Sequence, residues 1–197
     1  MILRNQPVGF EHGTLVSVED LFYNVPARLK FLKSAQTEFF YCYNYFVDVA
    51  LWHFDKAWIL KKNDKVSFDL QPTRDLKERI VDLYKKDWRK NLKDFSVDYE
   101  YVTLKGVVSD ASLRFGSMEN IKIYVNGRPV QDKIIRKALM DAYNRQLTPG
   151  EYPFVVLMLD IDPKMVDVNV HPAKLQVKFA DSKMIYQVVY DTISASL

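Results

Sequence analysis

One cysteine, six glycines and three histidines stand in a chain of 197 residues, and each scarcity removes a class of protein. Cys42 has no second cysteine to pair with, so no internal disulfide can form, and a reducing compartment is the simpler setting. It lies between Tyr41 and Tyr43 in a stretch that reads as helix, where a small apolar side chain is expected to be packed. The glycines do not cluster. Neither G-x-x-x-x-G-K-[ST] nor G-x-G-x-x-G occurs, so there is no glycine-rich loop to cradle phosphate. His12, His53 and His171 are far apart and lack cysteine partners, so no metal site is expected. G-x-S-x-G and H-E-x-x-H are also missing, and no catalytic constellation is legible. No apolar run approaches the roughly 20 residues that span a bilayer. The first seven residues lack the basic-then-apolar order of a secretory signal, which points to a cytosolic protein without membrane contact.

What is present is an ordinary globular composition, with 48% hydrophobic, 27% charged and 14% aromatic residues. Such a chain buries enough apolar surface to offset ordering entropy, in one large domain or two small ones. A net charge of +3 is too small to name a partner, so any basic surface must come from local clustering.

Along the chain, Gly13 to Val18 is a short β-prone run. Asn24 is a candidate N-cap before Pro26, in a helix that turns Leu29, Phe31 and Leu32 inward. Phe22 joins that expected core. Thr37 and Glu38 open a second helix to about Leu51, with Phe40, Tyr43, Val47, Ala50 and Leu51 at helical spacing. Two strands, residues 57–60 and 66–70, flank a turn at Lys61 to Asp64. Gln71-Pro72-Thr73 marks a boundary, giving domains 1–70 and 71–197. Thr73 then caps a helix carrying Leu76, Ile80 and Leu83, and residues 87–94 read as polar loop. Strands at 98–108 and 121–126 precede a helix over 131–144 that turns Ile134, Ile135, Ala138, Leu139 and Ala142 inward. The apolar run 154–161 reads as a central strand. Short strands at 166–170 and 175–179 precede a last helix capped by Asp181 or Ser182, with Ile185, Val188 and Val189 inward. The fold class is α+β, with two helices expected on one face of a small mixed sheet.

The strongest local signal is Val166-Asp-Val-Asn-Val-His-Pro-Ala-Lys174. The valines alternate onto one face, Pro172 ends the pairing, and Lys174 is thrown out at the tip of a tight connection. From pattern alone, a solvated turn lysine is the first reading. The whole run, however, resembles a signature of the MutL family of DNA mismatch repair proteins. Asp20-Leu-Phe-Tyr-Asn-Val-Pro-Ala-Arg28 and Lys30-Phe31-Leu32, preceded by Gly13-Thr14, are similar to the end of that family's GHKL-type ATPase domain. Tyr124-Val-Asn-Gly-Arg128 is similar to a strand end of its second domain. The resemblance covers essentially the whole chain.

It implies the remnant of a GHKL ATPase domain, followed by a ribosomal S5 domain 2-like transducer that couples ATP binding and hydrolysis to domain rearrangement. Lys174 would sense the γ-phosphate of ATP from the second domain, with Asp167, Asn169 and His171 holding its loop. Gly13 and Thr14 would edge the nucleotide pocket. Arg128, with Lys133, Arg136 and Lys137 on one helix face and Lys122 nearby, would contact the DNA backbone in a largely sequence-independent way. A solvated helix face is the plain alternative for that charge run. Tyr124 is expected to pack rather than stack on a base, and Arg28 is either a surface charge or part of the family's site.

The family's catalytic glutamate, metal-binding asparagine, D-x-G-x-G segment and lid segment do not occur in these residues. The expectation is therefore a fragment that does not hydrolyse ATP alone. ATP and Mg²⁺ belong to the parent protein, and none is expected on this fragment. The parent would be dimeric, act with DNA and with mismatch-recognition and downstream repair proteins, and reside in the cytoplasm at the nucleoid, or in the nucleus of a eukaryote. The alternatives are a transducer from another GHKL protein, such as a type II topoisomerase subunit, or a non-enzymatic nucleic-acid-binding module of the ribosomal S5 type. The latter would explain only the second half of the chain.

Overall fold

A computed structural model describes residues 9, 12–167 and 175–197. The chain divides into two compact units, Met1–Tyr43 and Asn44–Leu197.

The first unit holds helix α1 (Pro26–Leu29) and the first half of α2 (Ala35–Trp52). Pro26 occupies the first turn of α1, but the capping position is Val25 rather than Asn24, and no side chain caps it. The opening of α2 is a reciprocal cap. Ser34 Oγ accepts the Thr37 N–H at 3.2 Å, and Glu38 accepts the Lys33 N–H at 2.7 Å. Three expectations fail in this unit. Gly13 to Val18 forms no strand, and Leu15, Val16 and Val18 are exposed. A strand needs a partner for its backbone groups, and the described residues supply none to this run. Leu29, Phe31 and Leu32 are likewise exposed rather than core, as is Phe40. Cys42 is exposed, not packed.

In the second unit, β1 (Trp58–Lys62) and β2 (Lys65–Leu70) form a hairpin. Asn63 and Asp64 both take positive φ, 47° and 64°, the two-residue turn whose twist matches the strands it joins. Helix α3 (Leu76–Leu83) is capped by Asp75, whose side chain accepts the Glu78 N–H, and not by Thr73. Thr73 instead donates its hydroxyl to the Phe54 carbonyl at 2.9 Å. Leu76, Ile80 and Leu83 are buried as expected.

There follow β3 (Leu92–Asp98), β4 (Val102–Ser109), β5 (Arg114–Phe115), β6 (Ile121–Val125), β7 (Arg128–Val130), α4 (Lys133–Tyr143), β8 (Tyr152–Pro153), β9 (Val155–Ile161), β10 (Val166–Asp167), β11 (Lys178–Phe179) and α5 (Ser182–Ser196). The main sheet runs β3-β4-β9-β6-β7. The apolar strand β9 is central, antiparallel to β4 and parallel to β6. Residues 87–94, read as loop, contribute a 3₁₀ turn at Lys86–Asn91 and the start of β3. Trp88 of that turn stacks on Tyr84 and meets Phe154 and Phe115, with ring centroids 5.0, 5.3 and 5.4 Å away.

Helices α4 and α5 pack on each other and cover one face of this sheet. Ile135, Ala138, Leu139, Ile185, Val189 and Ile193 meet Leu104, Ile123, Leu157 and Leu159 there, all buried. Each fully buried aliphatic side chain contributes about 1.5–3 kcal/mol relative to exposure. Ile134 and Ala142 are only partly buried, at the rim of that face. Asp132 and Asp181 cap the two helices through their carboxylates. The opposite sheet face meets the end of α2. Tyr124 donates its hydroxyl to the Asp48 carbonyl at 2.9 Å, and Lys122 Nζ lies 2.9 Å from Asp48 Oδ1.

Among the described residues, one charged side chain is enclosed entirely. Arg79 on α3 has no exposed surface. Its Nη2 donates to three carbonyls, those of Phe54, Lys56 and Gln71, at 2.9, 2.7 and 2.8 Å. Burial lowers the pKa of this guanidinium, opposed in part by the charge of Asp82. The residues it joins flank both ends of the β1–β2 hairpin.

Candidate nucleic-acid interface

The V-N-G-R stretch is built by its turn. Asn126 and Gly127 take φ of 47° and 81°, closing the β6–β7 hairpin in two residues. The Asn126 side chain also extends the sheet. Its Oδ1 accepts the Ile161 N–H at 2.8 Å and its Nδ2 donates to the Ile161 carbonyl at 2.9 Å. The end of β6 is thereby fixed to the end of β9. Past the turn, Arg128 begins edge strand β7 with its side chain exposed. Among the described residues, no carboxylate pairs with it.

The other three cations of the expected groove sit on α4, and they differ. Lys133 is exposed at the helix start. Arg136 is half-buried, and its Nε is enclosed without a hydrogen-bond partner among the described residues. Lys137 is exposed but engaged, pairing with Asp141 one turn on and lying 5.3 Å from the Tyr186 ring centroid. Hydrogen bonds from Lys137 and then from the Tyr186 hydroxyl hold the Asp141 carboxyl below its usual range. Lys122, read as part of the basic surface, faces the sheet's other side and is paired with Asp48. Tyr124 is buried, and that burial pushes its phenol well up.

Gly13 and Thr14 belong to the first unit and are exposed, and a Cβ on Gly13 would have open space around it. Lys174, Asn169 and His171 lie outside the described residues. Asp167 stands in β10, opposite Lys178 of β11. Arg28 lies 5.9 Å from the Phe22 ring centroid.

A groove of about 210 Å³ adjoins the hairpin turn, lined by Tyr45, Asp48, Trp52, His53, Gly127 and Pro129 among others. It escapes sequence reasoning because its walls come from α2 and from β6–β7, which are distant in the chain. The only local signal was the aromatic density at the end of α2.

Solved structures share this architecture. The N-terminal domain of a DNA repair protein superposes with a TM-score of 0.71 over 88% of this chain and 58% of its own, at 21% identity. The Aquifex aeolicus MutL ATPase domain complexed with ADP gives 0.56 over 86% and 55%, at 20% identity. The chain therefore shares the fold of these two domains. The family model for the C-terminal domain of DNA mismatch repair protein matches residues 80–197, more than half of the chain. This chain belongs to the MutL family of DNA mismatch repair proteins. It is 38% identical over 187 residues to the DNA mismatch repair protein MutL of Chlorobium phaeobacteroides (strain BS1), covering 95% of this chain and 30% of the relative. It is 36% identical over 189 residues to that of Clostridium botulinum (strain Langeland), covering 96% and 28%. The chain thus spans about 30% of the length of these curated relatives. No helix among the described residues is long and apolar enough to cross a membrane.

Proposed function

We propose that this chain serves DNA mismatch repair as the end of an ATPase domain, residues 1–70, joined to a transducer, residues 71–197, with Arg128 holding the DNA backbone. The observation that carries the reading is Arg128 itself. It is an exposed guanidinium with no carboxylate partner among the described residues, set just past a rigid two-residue turn. A planar fork on a fixed strand end suits phosphate oxygens. Lys133, exposed at the start of α4, extends the same charge. Lys137 contributes less, because Asp141 neutralises it.

In the whole protein, ATP with Mg²⁺ would be the nucleotide, and one solved relative by fold holds ADP. Gly13 and Thr14, both exposed, are proposed to edge that nucleotide site in the whole protein. The role assigned to Lys174 is to meet the terminal phosphate and tie nucleotide state to domain position. DNA and the repair proteins that recognise and process mismatches are the proposed partners, and the whole protein is proposed to be dimeric.

Fluorescence anisotropy with a labelled duplex tests the DNA reading. Arg128→Glu should weaken binding and lower the slope of log affinity against log salt by about one phosphate contact. Indifference to that change would move the DNA surface elsewhere.

A further inference from the structure

The turn that leads from α3 into β3 gathers charge of one sign. Lys85, Lys86, Arg89 and Lys90 fall within six residues, against the single carboxylate of Asp87, and all four cations are exposed. Arg89 is partly engaged, 3.7 Å from Asp75. Among the described residues, no carboxylate pairs with Lys85, Lys86 or Lys90. Half-buried Trp88 sits amid them, stacked on Tyr84 and 5.4 Å from the half-buried ring of Phe115. The turn enters β3, one edge of the main sheet, and Trp88 also meets Phe154 just before the start of β9. Arg128 opens β7, the opposite edge, beside the turn that is fixed to the end of β9. The two surfaces are thus separated by roughly 20 Å across the sheet and by roughly 20 Å along it. A duplex is stiff over that distance, so one held at Arg128 does not follow the fold round to the turn.

We propose that this turn docks an acidic segment of a partner protein, with carboxylates on Lys85, Lys86 and Lys90 and one apolar side chain laid against Trp88 and Phe115. A flexible chain spreads its charges around Asp87, whereas the phosphates of a duplex are fixed in spacing. Lysines suit such a guest, because each is a mobile point charge rather than a planar fork. The aromatic base supplies what charge does not, an apolar contact that sets the position of the segment. The surface stands apart from Arg128, so the inference does not depend on the DNA reading.

The test uses the 197-residue chain and three labelled probes: poly-glutamate with one leucine at its centre, the same peptide with glutamine there, and a DNA duplex. The wild type should bind the leucine peptide more tightly than the glutamine peptide. Lys85→Gln, Lys86→Gln and Lys90→Gln together should weaken the leucine peptide about tenfold. Lys61→Gln with Lys65→Gln, at exposed positions of the β1–β2 hairpin, should leave it within about twofold, which separates the turn from net charge. Arg128→Glu should likewise spare the peptide. No binding of either peptide, or an equal loss from the turn and hairpin substitutions, overturns the docking surface. Equal binding of the two peptides by the wild type overturns the seat on Trp88 and Phe115. A triple-lysine variant that is folded by circular dichroism and loses duplex affinity as steeply as peptide affinity shows a nucleic-acid surface instead, and the proposal falls.

Discussion

The indole of Trp52 lies beside Gly127, so that a Cβ on the glycine would stand 3.3 Å from the ring. The same glycine has a φ of 81°. Two independent demands thus fall on one position, a left-handed backbone and an empty side. Gly127→Ala should cost about 1–2 kcal/mol, from backbone strain and from displacement of Trp52. Urea unfolding monitored by circular dichroism measures it, and an unchanged midpoint would show that the indole relaxes freely.

Arg79→Met should be more damaging. It keeps the aliphatic stem but leaves the Lys56 and Gln71 carbonyls without the donor that now meets them. A loss of about 3 kcal/mol or more is expected from the buried groups left unmade. Arg79→Lys should rescue only part of it, since an ammonium does not reproduce the planar guanidinium. A midpoint within error of wild type would mean that water replaces the guanidinium.

The junction of α4 with α5 should be sensitive to acid. Asp141 is depressed below its ordinary value near 3.8, chiefly by Lys137 and then by Tyr186. A carboxyl lowered on folding stabilises the fold above its unfolded pKa, and that stabilisation is lost as pH falls through the folded value. The difference in Tm between wild type and Asp141→Asn should therefore be small but present at about pH 6 and shrink as the pH falls below the ordinary carboxyl value. A difference that grows on acidification would contradict the assignment.

Lys174→Met, placed in a longer protein that contains this chain and hydrolyses ATP, should lower the rate of ATP hydrolysis. An unaltered rate would remove the sensing role.

These outcomes bear on residues that differ in how visible they were beforehand. Strand β9 announced itself because a strand covered on both sides is apolar at nearly every position. Helices α4 and α5 were readable because each buries one stripe, and the Asn63-Asp64 and Asn126-Gly127 turns because few residues accept positive φ. Edge strand β3 was harder. Its first half carries Lys93, Asp94 and Ser96 on exposed positions, and a strand with one wet face and one free edge reads as loop. Arg79 was invisible for a different reason. A charge on an amphipathic helix is assigned to water unless three carbonyls from elsewhere in the chain are known to converge on it. Arg128 could be named from the resemblance of its V-N-G-R stretch, with the N-G turn to place it. Its surroundings could not, because Tyr45 and Trp52 are brought to that turn only by the packing of α2 on the sheet.

The three carbonyls held by Arg79 have a mechanical consequence. Phe54 and Lys56 precede the β1–β2 hairpin and Gln71 follows it, and Thr73 returns to the Phe54 carbonyl through both its hydroxyl and its N–H. The stem of the hairpin is thereby riveted to α3 at a single ion. Force applied anywhere along residues 58–70 is delivered to α3 rather than absorbed in the loop, and the hairpin behaves as a stiff handle whose pivot is one guanidinium.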